Sequence, residues 1–291
     1  MLSVAAACLV ATGCSAVSSL AKGAASAQAP HPAASAKAGQ SNLAGPPVNP
    51  FAGTPADRWA GAPAGIVPPA ATPVGPFTKA QVEYAYGMMR KLLVAANLDQ
   101  QTLHGGAPTA FADLLTSQQK AWFDGGLDEQ GLDKQGHQAS TRAWVMSFAP
   151  GSAQLIGSVI KVNGSMHAKA VKNSNGAYEL DIDIDYLFVY PVEPPRQPYN
   201  WMRVVSEVAW TVGFANWPGA ASSFAPWLTS PGTTTGVDGA NCSYMDGYTH
   251  PDYPDNTGPG AHPSDTPSGT PVDPYVAGQA RVVGCHATTG T

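Results

Sequence analysis

A helical pattern of apolar residues begins just after Thr78. Thr78 and Gln81 have the spacing of a capping box, and Phe77 and Val82 have that of a hydrophobic staple. Apolar residues then recur at intervals of three and four over about five turns. These residues are Val82, Ala85, Tyr86, Met89, Leu93 and Ala96. The pattern predicts a long amphipathic helix at the start of the folded part.

A second helix is predicted in the stretch PTAFADLLTSQQKAWF, which begins at Pro108. Thr109 is the expected N-cap, and Gly125 and Gly126 are expected to end the helix. The side predicted to be buried consists of Phe111, Leu114, Leu115, Ala121 and Trp122.

Beyond Ile160 the apolar period changes to two, which indicates strands with one wet face. The first strand alternates around Ile160, Val162, Met166 and Ala168, and the turn KNSNG follows it. The second strand sets Leu180, Ile182 and Ile184 against Asp181, Asp183 and Asp185. The third sets Met202, Val204, Val208, Trp210, Val212 and Phe214 against Arg203, Glu207 and Thr211. Helices followed by three long strands predict an α+β fold with an antiparallel meander.

This order of elements, from 77 to 217, resembles the NTF2-like (cystatin-like) arrangement. The resemblance implies a long N-terminal helix and a second helix packed on a curved antiparallel sheet. It is one of element order and carries no motif.

The first 14 residues read as a secretory signal that ends at a cysteine. The apolar run LSVAAACLVATGCSAV is shorter than the roughly 20 residues that cross a bilayer. VATGC resembles the bacterial lipobox, in which the cysteine is lipid-modified, although Ala11 departs from its usual Leu, Val or Ile. The resemblance implies lipidation of Cys14. No Lys or Arg precedes Lys22, so either the true start lies upstream of Met1 or the signal is irregular.

From residue 15 to residue 76 the chain is rich in Ala, Pro and Gly and nearly without charge. Such a composition buries too little apolar surface to offset the entropy of ordering. We therefore expect a disordered stalk between the signal and the folded part.

The formal net charge of -5 and the absence of a Lys/Arg cluster argue against a nucleic-acid partner. No cofactor motif occurs, so no cofactor is expected. The lipobox-like start, the stalk, RVVSEVAW and the late CSYMDGYTHPDYPD together resemble a group of uncharacterised actinobacterial secreted or lipid-anchored proteins. That resemblance implies an address at the cell envelope and no particular activity.

The segment 218–291 is rich in Pro and Gly and is predicted to be irregular, with ARVVGC as its single short strand. Cys242 and Cys285 are the thiols that remain after the signal is processed, so export would join them in a disulfide. The alternative is a zinc site that uses His250, His262 or His286, but no CxxC or HxxxH spacing supports it.

The stretch NCSYMDGYTHPDYPDN, residues 241–256, is a candidate metal-binding loop. Asp246, Asp252 and Asp255 could supply oxygen ligands to Ca²⁺, but their spacing is not that of an EF-hand. Aspartate beside Gly or Pro is ordinary turn chemistry. We expect a metal-free, turn-rich loop that Tyr244, Tyr248 and Tyr253 anchor to the sheet.

His167 raises the question of acid–base chemistry. Across the predicted hairpin it faces Asp181 or Asp183, depending on register, and a His/Asp pair in a sheet cavity could abstract a proton. The same residues could form a solvated charge ladder. No nucleophile motif, carboxylate pair or phosphate loop accompanies them.

The sequence therefore predicts an exported module, held at the outer face of the membrane by a lipid, that binds a cell-envelope protein or a small ligand. The alternatives are an NTF2-like enzyme that uses the His167 pair, and a structural component of the envelope. Export without an anchor is the alternative address.

Overall fold

The computed structural model describes residues 45–134, 138–173, 175–216, 224–228, 235–241, 243–254 and 273–277. The predicted signal, Cys14, Cys242, Cys285 and Asp255 lie outside the described residues. The helices are α1 (Lys79–Asn97), α2 (Gln100–Leu103), α3 (Thr109–Ala112) and α4 (Ser117–Gly125), with 3₁₀ turns at Pro55–Arg58 and Thr141–Trp144. The strands are β1 (Ala60–Gly61), β2 (Gln154–Leu155), β3 (Lys161–Lys172), β4 (Tyr178–Glu193), β5 (Met202–Ala215), β6 (Ala225–Leu228) and β7 (Thr235–Asp238). Within the described part, no helix is long and apolar enough to cross a membrane.

The strands form one antiparallel sheet in the order β1-β3-β4-β5-β6, with β2 paired to β4 and β7 paired to β5. The long strands β3, β4 and β5 are its centre. The register places Met166 opposite Ile184 and Ile184 opposite Trp210, so the even-numbered apolar residues share one face. We call this the core face and the opposite one the outer face.

The helices pack on the core face, which gives the predicted α+β architecture of helices against a large antiparallel sheet. Two polar contacts fix α1 there. The backbone N–H of Ala168 donates to the Tyr86 hydroxyl at 3.1 Å, and the Tyr190 hydroxyl donates to the carbonyl of Asn97 at 3.2 Å. Burial of polar groups costs little when they are paired in this way.

Helix α1 begins where the sequence predicts. Thr78 is its N-cap and accepts a hydrogen bond from the Gln81 backbone, while the Gln81 side chain accepts one from the Thr78 backbone. All six residues of the predicted apolar face are buried. The capping box and the periodicity act together on one local stretch, so tertiary contacts did not override them.

The single second helix that we predicted is wrong. The structure has two short helices there, α3 and α4, because Thr116 caps a new helix by accepting from the Gln119 backbone. Thr109 lies inside the first turn of α3, where no side chain caps the helix. Trp122, expected to be buried, is 47% exposed, and Gln119 is buried instead. Its side-chain amide donates to and accepts from Leu228, which ties α4 to the sheet edge at β6.

Residues 45–76, assigned to the disordered stalk from composition, belong to the folded part. Residues 45–62, which we call the strap, pass over the outer face and end in the edge strand β1, which pairs with β3. Phe51 and Ala56 of the strap bury Leu187, Val189 and Val205, together with Tyr275. Composition misled the prediction because a few anchoring side chains and backbone carbonyls are enough to dock an otherwise low-complexity segment.

The strap is also held by cations on the sheet. Lys161 Nζ donates to the carbonyls of Trp59 at 2.8 Å and Asp57 at 3.3 Å. The Arg203 guanidinium donates to the carbonyls of Pro50 and Ala52.

The folded part also extends past residue 217, the end of the predicted module. Strands β6 and β7 lie in the segment predicted to be irregular, and both pair with β5. Each is four residues long, too short to show a period of two in the sequence.

Candidate functional site

The polar row on the outer face brings together the residues predicted for acid–base chemistry. The register places His167 opposite Asp183 and Lys169 opposite Asp181. Asp183 is nevertheless engaged by other side chains. Lys169 Nζ lies 2.7 Å and 3.0 Å from its two carboxylate oxygens, and the Thr211 hydroxyl donates to it at 2.6 Å.

The pKa values of the carboxylates in this row shift in opposite directions. Burial raises the pKa of Asp183, but the hydrogen bonds from Lys169 and Thr211, with the charges of Lys169 and His167, outweigh it and hold the pKa below its ordinary value. Burial raises the pKa of Asp181, and the charge of Asp183 adds to this against the attraction of Lys169. Burial and the charge of Asp181 raise the pKa of Glu179.

His167 is exposed on this outer face, and α1 packs on the other one. It therefore lies outside the core of the fold and shares its row with Lys169 and the aspartates. A row of opposite charges across neighbouring strands is the arrangement of a solvated charge ladder.

A second polar cluster forms around residues 243–254, which we call the tyrosine loop. The Asp246 carboxylate accepts from the Tyr248 backbone at 3.0 Å, which is Asx-turn geometry, and lies 3.0 Å from His250 Nε2. Tyr244 stacks on the His250 ring at 3.8 Å between centroids. Asp252 takes part in this cluster through its backbone N–H, which donates a hydrogen bond to the carbonyl of Gly239.

Among the residues that the structure describes, no group of three or more His, Cys, Asp or Glu side chains is placed to hold a metal ion. Asp246 and Asp252 therefore do not come together with a third ligand there. Asp255 lies outside the described residues.

The sequence predicts that the tyrosine loop is anchored to the sheet, but its main contacts are with the segment between α4 and β2. The backbone of Thr249 exchanges hydrogen bonds with Ser147 and Ala149. The Tyr253 hydroxyl donates to the carbonyl of Ser152 at 2.9 Å, and the Tyr248 ring lies 4.3 Å from the Arg142 guanidinium carbon. The loop thus covers Arg142.

Arg142 is the residue of this site that sequence reasoning missed. It is 4% exposed, and its Nη1 donates to the carbonyl of Gly106 at 3.1 Å and to the Ser147 hydroxyl at 3.3 Å. The Ser147 hydroxyl in turn donates to the carbonyl of Thr102. A lone basic residue in the apolar run TRAWVMSF was the available signal. Arginine is rarely buried unless its charge is paired.

Gly247 explains how the loop approaches so closely. Its φ is +80°, in the left-handed region that favours glycine. A Cβ at this position would collide with the Ser140 side chain and come within 2.9 Å of Arg142 Cβ. The glycine therefore lets the backbone pass directly over the segment that carries Arg142.

Comparison of the chain with protein-family models, with curated proteins and with solved structures found no match.

Proposed function

We propose that this protein is an exported binding module, anchored to the outer face of the cell membrane by a lipid on Cys14, that holds a ligand or partner without transforming it. One observation carries the preference for binding over catalysis. The Asp183 carboxylate is already occupied by Lys169 and Thr211, while His167 beside it is exposed.

A general base acts efficiently when a fixed partner orients it and a site excludes water around it. His167 has an exposed position, and the carboxylate across from it stabilises a lysine ammonium. The tyrosine loop, in contrast, closes over a buried cation with several fixed hydrogen bonds. Fixed polar groups in a partly buried setting support selective binding.

Native mass spectrometry of the full chain, released gently from the envelope, tests the binding function. We expect a ligand or partner mass that is retained under native conditions and lost on denaturation. A His167→Asn variant should retain the same mass, because the proposal assigns His167 no contact with the ligand. Recovery of the chain without any added mass, from intact envelopes and after cross-linking, contradicts the proposal.

The anchor has its own test. Cys14→Ala, or treatment with globomycin, should move the protein from the membrane fraction to the soluble exported fraction. Unchanged membrane association would remove the lipid from the proposal and leave the binding function untouched.

The finer architecture belongs to this proposal as well. The proposal of an NTF2-like arrangement with a curved sheet rests on the order of the elements. A disulfide between Cys242 and Cys285 would close the C-terminal segment, with a loop-entropy contribution of about 4 kcal/mol. Mass spectrometry of non-reduced peptides should find these two cysteines joined, and free thiols in the exported protein contradict the bridge.

A further inference from the structure

Arg142 differs from Arg90 and Arg203 in how its guanidinium is used. An arginine can present Nε and Nη2 side by side as a fork for two oxygens. Arg90 uses this fork for the carbonyls of Ile66 and Pro63, at 3.0 Å and 3.3 Å. Arg203 uses it for the carbonyls of Pro50 and Ala52.

The fork of Arg142 is not used in this way. Within the part of the chain that the structure describes, its Nε is buried without a hydrogen-bond acceptor, and its Nη2 donates to no atom. Both hydrogen bonds that the guanidinium makes to described residues come from Nη1. Within the same part of the chain, no carboxylate lies within 4.0 Å of Arg142.

This arrangement is costly for a residue that stays charged. Arginine remains protonated in proteins, and moving its charge out of water costs several kcal/mol unless an opposite charge or a full set of hydrogen bonds offsets the loss. The ring of Tyr248, at 4.3 Å, offsets part of it through a cation–π contact. A buried donor without an acceptor adds a further penalty.

We propose that Arg142 is the anchor of a carboxylate-binding site, in which Nε and Nη2 donate to the two oxygens of a ligand carboxylate while Tyr248 covers the face of the guanidinium. This inference rests on the proposed binding function and names its ligand class. A single buried cation is neutralised by one negative charge. That balance favours a carboxylate over a doubly charged phosphate.

The surroundings hold the fork in a fixed orientation before any ligand arrives. Nη1 is fixed by the carbonyl of Gly106 and by Ser147, and Ser147 is itself fixed by the carbonyl of Thr102. Such preorganisation reduces the entropy that binding must offset. Because the residue is 4% exposed, we expect the ligand to enter where Tyr248 covers the guanidinium.

Nuclear magnetic resonance of the arginine Nε–Hε groups tests this site in the full chain, with acetate as the probe and sodium chloride at the same ionic strength as the reference. We expect a saturable downfield shift of the Arg142 Hε signal with a Kd in the millimolar range, since acetate offers few atoms for contact. Arg203 is the matched control. It also lies over an aromatic ring, Trp201, but its fork is filled by carbonyls, so its signal should not move.

Arg142→Lys and Arg203→Lys each remove one signal and so assign it. Should Arg142→Lys fail to fold, through-bond spectra of the wild-type chain assign the same signal. An Arg142 signal unmoved by acetate, or equal shifts of both arginines, would overturn the site. A tighter response to methyl phosphate than to acetate would overturn the ligand class. None of these outcomes bears on whether the chain carries another ligand from the envelope, so the proposed function is judged separately.

Discussion

At the scale of single residues, Asp181 and Asp183 on β4 have opposite electrostatic effects on stability. Burial in the folded state raises the pKa of Asp181 above its unfolded value of about 3.9. Ionisation of Asp181 therefore lowers the stability of the fold at a pH above the folded pKa, and this cost disappears at a pH below the unfolded pKa. The pKa of Asp183 is lowered because its hydrogen bonds and neighbouring cations outweigh burial. Its ionised form therefore adds stability above about pH 3.9, which is lost as pH falls through the folded pKa.

We expect Asp181→Asn to raise the free energy of unfolding at pH 7 and Asp183→Asn to lower it. Each change should stay within about 1 kcal/mol, because both side chains keep contact with solvent. Urea denaturation at pH 7 measures both variants, which differ by two positions on one strand and serve as each other's control. Near pH 3.5 the gain from Asp181→Asn should be nearly gone. Changes of the same sign at pH 7 would contradict the opposite roles of the two residues.

The candidate site was predictable from the sequence only in part, for reasons visible at single residues. The sequence leaves two candidates for the residue across from His167, because apolar alternation shows which face of a strand is buried but does not show the register between strands. Thr211 and Lys169 engage Asp183 through contacts that depend on that register. Arg142 stands alone in an apolar run of the sequence, but its burial and its Nε without an acceptor among the described residues appear only in the packed structure.

At the scale of elements, one predicted helix cap is present in the structure and another is not. Thr78 caps α1, whereas Thr109 caps no helix. Thr78→Ala removes a reciprocal capping box and should cost about 1 kcal/mol of stability. Thr109→Ala, at the residue once expected to cap the second helix, should change stability by less than about 0.5 kcal/mol, since Thr109 caps nothing. Chemical denaturation of the two variants in parallel checks this. Equal losses would show that Thr109 has a role that its contacts do not indicate.

The predicted elements that hold in the structure are long and periodic. Helix α1 and strands β3, β4 and β5 repeat their pattern over enough residues to reveal both face and type. Helices α3 and α4 were joined in the prediction because apolar spacing continues across Thr116, which is a cap. The strap contains Phe51 and Ala56 as isolated anchors, and no period relates them.

At the scale of the whole molecule, the strap sets the smallest stable unit. A chain that begins at Pro63 lacks the strap, exposes Leu187, Val189 and Val205, and removes the acceptors of Lys161 and Arg203. Loss of one buried phenylalanine alone costs about 3–5 kcal/mol. We therefore expect this truncation to aggregate or to lose at least that much stability.

The matched control is a chain that begins at Gly45 and so keeps the strap. It should elute as a single species in size-exclusion chromatography and unfold at a higher urea concentration than the shorter chain. If the two truncations behave alike, the strap does not contribute to stability as its contacts indicate.

The strap is synthesised well before the residues that it packs against. The strap is synthesised early, but Arg203, whose guanidinium donates to the carbonyl of Pro50, lies 153 residues further along the chain. At about 5–20 residues per second this arginine follows roughly 8 to 31 s later, and Tyr275, which completes the same cluster, is later still. Contacts so distant in sequence form slowly. During that interval the nascent chain must carry Phe51 unburied, which makes this segment a natural client for a chaperone that shields apolar side chains until the sheet is complete.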